Sequence, residues 1–245
     1  MHISISAERI FNIGPLTITN SSLTGILVSL FLIIFSVSVV DEDKLKKIPQ
    51  GILGFLEMII EGLYSLVQSI SGNKAKIFFP LIATFFIYIA LANWAGLLPG
   101  MGTIGFKEIV DHHQKFVPLF RGATADINTT LALAIFSVVS IQVFGLKGLG
   151  FKYPQKFFNL KGPIDFFVGI LELLSEFSKI ISFAFRLFGN IFAGEVLLTV
   201  MAFLLPILAP IPFIGLEIFV GFIQALVFSM LTLVFLNIAT AGHGE

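Results

Sequence analysis

Five apolar runs, separated by polar connections, organise this chain. Leu23 to Val40 is the first, Ile77 to Leu98 the second and Thr129 to Leu146 the third. An uninterrupted apolar stretch follows from Ile164 to Leu205. The proline-rich segment Pro206 to Pro212 breaks it, and Phe213 to Thr240 closes the pattern. A membrane span needs about 20 mostly apolar residues, so each run predicts a helix able to cross a bilayer. The stretch at 164–205 is too long for one perpendicular crossing. As a helix it would reach about 60 Å against a hydrocarbon core of about 30 Å. It must tilt strongly, lie partly along the membrane, or fold back.

Gln50 to Ile70 has a different pattern. Glu57 and Glu61 lie one turn apart, with Gln68 further along, among Leu, Ile, Met and Phe. This reads as an amphipathic helix lying at the interface, the two acids forming its solvated face. The first 22 residues are polar and contain a lone Arg9. The apolar run after them ends in SVSVVDEDK without a small-residue cleavage site, so a secretory signal peptide is not expected.

Composition sharpens the picture. Of 245 residues, 56% are apolar and 12% charged, where a soluble domain carries roughly 25% charged residues. Mean hydropathy is +0.99. There are 29 Phe against 3 Tyr and 1 Trp, a choice that suits lipid because Phe has no polar tip to satisfy. A soluble enzyme, a nucleic-acid binder and a disordered scaffold all fit poorly. Net charge is zero and Cys is absent, so disulfides and thiolate metal sites are ruled out.

The basic residues orient the spans. Lys44, Lys46, Lys47, Lys74 and Lys76 occupy one connection, and Lys147, Lys152, Lys156 and Lys161 another. These two connections share a side and are read as cytoplasmic. The N-terminus and the 99–128 loop are then outside, and five crossings put the C-terminus inside. No internal repeat of the kind found in many transporters is visible.

Several familiar chemistries are missing. There is no GxxxxGK[ST], hence no P-loop. GLKGLG (Gly145 to Gly150) follows an apolar helix rather than a strand and reads as a loop. His112 and His113 are adjacent, lack an HExxH context and read as ordinary outer-loop histidines. No cofactor or metal is expected.

The informative residues are ionisable ones inside apolar runs. A charge at mid-bilayer costs roughly 3 kcal/mol on insertion scales, so such residues face protein or water. The long stretch contains Glu172, Glu176, Lys179, Arg186 and Glu195; the last run contains Glu217 and Gln224; the third begins at Asp126 and Asn128. At about 100° per residue, Glu172, Ser175, Lys179, Ser182, Arg186 and Asn190 fall within about 40° of the Arg186 direction. They form one polar stripe. Glu195 falls about 180° away, toward the partner helix bearing Glu217, which shares a face with Gly221 and Gln224. Glu172, Glu176 and Lys179 are spaced for ordinary ion pairs. Arg186 has no acid within one turn and invites a counter-ion from elsewhere.

FRLFGNIFAGE (Phe185 to Glu195), then PIP and FIQALVFSMLTLVFL (Phe222 to Leu236), resembles the subunit a family of the F-type ATP synthase membrane sector. ADINTTLAL (Ala125 to Leu133) and NWAGLLPG (Asn93 to Gly100) resemble the same family in the same order, and the match runs from about residue 50 to the end. The resemblance implies a stator that faces a rotating ring of c subunits, each bearing one buried carboxylate. Two aqueous half-channels load and unload protons on that ring. Arg186 then matches the essential arginine, Asn190 its polar neighbour, Gln224 the glutamine of the facing helix and Glu195 the half-channel acid. Lys179 and Ser182 fall where the family places polar residues toward the other half-channel. Some members have histidine where this chain has Glu217, so the pair here is acid with acid.

The expected fold is all-α: a polytopic membrane protein with about five crossing helices plus the interfacial helix, and a long, strongly tilted penultimate helix packed on the last. It forms a single integral membrane domain, with 1–22 as an outer segment and 164–240 as the ion-pathway pair. The implied partners are the c-subunit ring, the b-subunit peripheral stalk and the remaining ATP synthase subunits, in the inner membrane of a bacterium, without nucleic acid. The chain itself has no catalytic ATP site. The alternative is a stand-alone proton or cation transporter using the same carboxylates.

Overall fold

A computed structural model describes residues 7–14, 16–39, 51–110, 113–150, 152–155, 157, 162–206 and 208–241. Lys44, Lys46, Lys47, His112, Lys156 and Lys161 lie outside the described residues. Helices α1 (Asn20–Val39), α2 (Ile52–Ser71), α3 (Ala75–Ala95), α4 (Ile127–Leu149), the single turn α5 (Lys152–Gln155), α6 (Pro163–Leu204) and α7 (Pro210–Thr240) make up most of it. Two antiparallel hairpins join them, β1 (Arg9–Ile13) with β2 (Leu16–Thr19) and β3 (Gly105–Val110) with β4 (His113–Pro118). Among the described residues, five segments are long and apolar enough to cross a membrane.

Local chemistry sets the helix ends. Asn20 Oδ1 accepts from Ser21 N (2.9 Å) and Thr19 Oγ1 from Ser22 N (3.2 Å), capping α1. Asp126 caps α4 by accepting from Asn128 N at 3.1 Å. Pro163 and Pro210 stand at the first positions of α6 and α7, where a missing N–H costs nothing. The long apolar stretch is one unbroken 42-residue helix and does not fold back. The proline-rich break between α6 and α7 is short, because Pro210 already begins the next helix.

Packing centres on α3 against α7 and α4 against α6. One buried cluster joins Phe85, Phe86 and Ile89 of α3 to Phe183 and Leu187 of α6 and Phe228 of α7. A second joins Val67 of α2, Phe78 and Ile82 of α3, Ile141 of α4 and Leu233 and Leu236 of α7. Between α4 and α7, Ser137 and Thr232 share a hydrogen bond of 2.8 Å, and Thr232 Oγ1 also donates to Phe228 O. Helix α2 packs Tyr64 edge-on against Phe79 and leaves Glu57, Glu61 and Gln68 exposed.

The loop expected at GLKGLG is not a loop. Helix α4 runs through Leu149, and only Gly150, at φ +59°, turns the chain. These glycines are packing residues. A Cβ on Gly145 would lie 2.5 Å from the Tyr153 ring, whereas one on Gly148 would make ordinary contact with Thr240 at 3.5 Å. Tyr153 is 3% exposed and donates to Gln142 Oε1 at 2.8 Å. Burial first, and the Glu176 and Glu172 carboxylates second, push its phenol up to about 12, so it remains a neutral donor. Gly145→Ala should therefore displace the ring and destabilise the fold by about 1–3 kcal/mol, as overpacking does. Gly148→Ala should be close to neutral. Thermal unfolding of the two detergent-solubilised variants checks this; equal melting temperatures would contradict it.

Candidate functional site

Helix α6 carries its polar residues past two separate cavities. The smaller, about 270 Å³, is lined by Ser175, Ser178, Lys179, Ser182 and Arg186 of α6 with Leu231 and Phe235 of α7. Here Lys179 Nζ lies 2.7 Å from Glu176 Oε1 and 4.6 Å above the Phe235 ring. Arg186 is exposed, and its Nη2 donates to Ser182 Oγ at 3.3 Å. One turn on, Asn190 Nδ2 donates to Gln224 Oε1 of α7 at 2.7 Å. Gln224 is 4% exposed, and its Nε2 is buried with no hydrogen-bond partner among the described residues.

The larger cavity, about 700 Å³, brings Glu195 of α6 together with Glu217 of α7. Glu195 lies nine residues past Arg186, about 13 Å along the helix. Glu217 is 6% exposed and sits against Gly194, where a Cβ would overlap its carboxyl. The two acids share the cavity without a direct hydrogen bond among the described contacts. Glu195 is held instead by Arg121, whose Nε lies 3.1 Å from both carboxylate oxygens. Arg121 is 8% exposed and also stacks over Phe192, 5.9 Å from its centroid. Sequence reasoning missed Arg121. It belongs to a polar connection, and its partner is 74 residues away. The only available signal was one arginine shortly before an apolar run.

Arg121 is placed by close backbone packing. The buried turn Ala123–Ala125 leads into α4, and Gly122 crosses the end of α3 so closely that a Cβ on Gly96 would lie 3.0 Å from Gly122 Cα. Asn93 accepts from Thr124 Oγ1 (2.7 Å) and donates to Gly221 O (2.9 Å), while Trp94 Nε1 donates to Ile218 O (3.0 Å). The NWAG motif thus clamps α7 just past Glu217. Arg186 and Glu195 occupy different cavities, with the Asn190–Gln224 contact between them. Among the described residues no group of three His, Asp or Glu is placed to hold a metal. The chemistry available is that of carboxylates, two arginines and a lysine bordering space that water can fill.

The model of the family described as "ATP synthase A chain" matches residues 22–237. ATP synthase subunit a of Geotalea uraniireducens is 36% identical over 217 residues, covering 87% of this chain and 84% of its own. That of Moorella thermoacetica is 31% identical over 237 residues, covering 96% and 97%. That of Gloeobacter violaceus is 33% identical over 244 residues, covering 99% and 93%. Family match and extended similarity together place this multi-pass membrane chain in the ATP synthase subunit a family.

Proposed function

We propose that this chain is the ion-translocating stator of a rotary ATP synthase, and that its two cavities are the two half-channels. The observation that carries this reading is the separation of the cavities along α6, with Arg186 at the border of one and Glu195 in the other. The cavity holding Glu195, Glu217 and Arg121 serves the outside. The cavity holding Lys179, Ser182 and Arg186 serves the cytoplasm. The same reading takes the chain as one integral membrane domain, with α2 lying at the interface and the N-terminal segment outside.

A proton enters the outer cavity, passes by way of Glu195 and Glu217, and protonates a carboxylate on the c-subunit ring. Rotation carries it round. A ring carboxylate reaching Arg186 gives up its proton to pair with the guanidinium, because an adjacent opposite charge favours the ionised form. The same fixed charge blocks a direct file of protons between the cavities. Gly189 and Ala193 are small residues on α6 near Arg186, which lets a ring helix approach closely. Few α6 residues are buried within this chain, which leaves a long face for such a partner. Asn190 is exposed beside Arg186 on that face, while Gln224 is buried behind it and holds the Asn190 amide through its Oε1. The b-subunit peripheral stalk and the remaining ATP synthase subunits complete the assembly.

Arg186→Ala should abolish ATP synthesis and ATP-driven pumping. Arg186→Lys should rescue poorly, since a hydrated ammonium can lose its proton when buried. Coupled synthesis by reconstituted Arg186→Ala vesicles at the parental rate would end the proposal. The chain has no Cys, so topology is open to a clean test. Lys147→Cys should react with an impermeant thiol reagent only in inverted vesicles, and labelling in intact cells would reverse the orientation. Arg121→Gln should slow passive proton conduction through the stripped membrane sector severalfold by leaving the Glu195 carboxylate without its cation. Arg121→Lys should restore part of it. Equal conduction by Arg121→Gln and the parent would remove Arg121 from the pathway.

A further inference from the structure

The N-terminal hairpin contains no evident chemistry, yet the residue just before it is an acid held in a defined place. Glu8 N donates to Asn20 Oδ1 at 3.2 Å, and Asn20 N donates back to Glu8 O at 3.1 Å. Both backbone groups of Glu8 are therefore fixed by a single residue. Asn20 is 1% exposed, and its Nδ2 donates to Pro118 O at 3.3 Å, at the end of β4. That ties Glu8 to the segment that delivers Arg121 three residues later. Glu8 itself lines the larger cavity, together with Arg121, Glu195 and Glu217.

Nothing in hairpin formation calls for a glutamate at this point, and a strand pair would form as well with a neutral residue. The cavity supplies a reason. Glu217 is buried, lines the cavity and has no hydrogen-bond or ion-pair partner among the described residues. A proton bound for it must cross that cavity. Among the described lining residues, Glu8 is the one acid besides Glu195 and Glu217. A carboxylate exchanges protons rapidly with water.

We infer that Glu8 is a third proton-carrying group of the larger cavity, and that the N-terminal segment is a wall of the proton pathway. The inference rests on the half-channel reading above. Hydronium gives its proton to a Glu8 oxygen and becomes water. Glu8 releases the proton to cavity water, which delivers it to Glu195 or Glu217. Glu8 ends as it began, and no other reactant is needed.

The test uses the assembled complex in vesicles, with passive proton conduction measured after the soluble part is removed. Glu8→Gln should lower conduction about tenfold, less than the hundredfold or more associated with a group at a reacting centre. Glu8→Asp should retain most of it. Glu8→Cys, assembled first and modified afterwards, guards against a folding artefact. A methanethiosulfonate bearing a carboxylate, added from the outside, should restore conduction, while one bearing a trimethylammonium should not. Parental conduction by Glu8→Gln, with Glu195→Gln blocked in the same vesicles, would overturn the inference and leave the half-channel reading standing. Parental conduction by both variants would overturn both. Equal effects of the two thiol reagents on Glu8→Cys would also overturn it, since a merely structural role does not distinguish a titratable group from a fixed cation.

Discussion

A charge inside an apolar bundle must be paired, hydrated or aimed at a partner, because leaving it in hydrocarbon is too costly. The ionisable groups of α6 are arranged by that constraint. Lys179 is paired with Glu176, and Glu195 with Arg121. Arg186 donates to a serine hydroxyl at 3.3 Å and stands exposed at the edge of a cavity. The same helix thus satisfies its charges to either side of Arg186 while presenting that one guanidinium outward. Its 42 residues leave most of its surface uncovered by the rest of this chain.

Holding acids beside a cavity requires rigid walls, and the walls here are built from backbone contacts. Gly96 lets a loop cross the end of α3 so closely that a Cβ there would lie 3.0 Å from Gly122 Cα and force the loop outward by a few tenths of an ångström. Asn93 uses both ends of its amide, one on Thr124 and one on the carbonyl of Gly221, so α3, the loop and α7 are locked together. Gly194 leaves room for the Glu217 carboxyl against α6. Each contact is small, but a buried polar network that is fully satisfied specifies one arrangement rather than several.

The helices were legible because a span is a local property: twenty or so apolar residues need no partner to be recognised. The polar stripe of α6 was legible for a similar reason, since the helical period places Ser175, Lys179, Ser182 and Arg186 on one side, where they line one cavity. Arg121 was not legible. It takes its meaning from an ion pair spanning 74 residues, which no periodicity encodes. The glycines of Gly145–Gly150 misled because glycine serves both turns and close packing. Only the Tyr153 ring against Gly145 decides between them. The hairpins were missed because they are short, and they gain a role only when Asn20 ties one to the other.

Arg121 also changes what an acid–acid pair can do. Two carboxylates alone in a poorly solvated cavity would alternate between one negative charge and two as a proton came and went. The doubly charged state is strongly resisted by repulsion and desolvation. With Arg121 bound to Glu195, the three groups alternate between neutrality and a single negative charge. One acid can then remain the counter-ion of the guanidinium while the other accepts and releases a proton. Under the half-channel proposal Glu217 is the acid that exchanges the proton: it is buried, faces the same cavity and has no cation of its own among the described residues. A histidine at this position would supply the cation on α7 itself. Here the cation comes from the loop between β4 and α4, so under the half-channel proposal the packing that delivers Arg121 belongs to the pathway as much as the acids do.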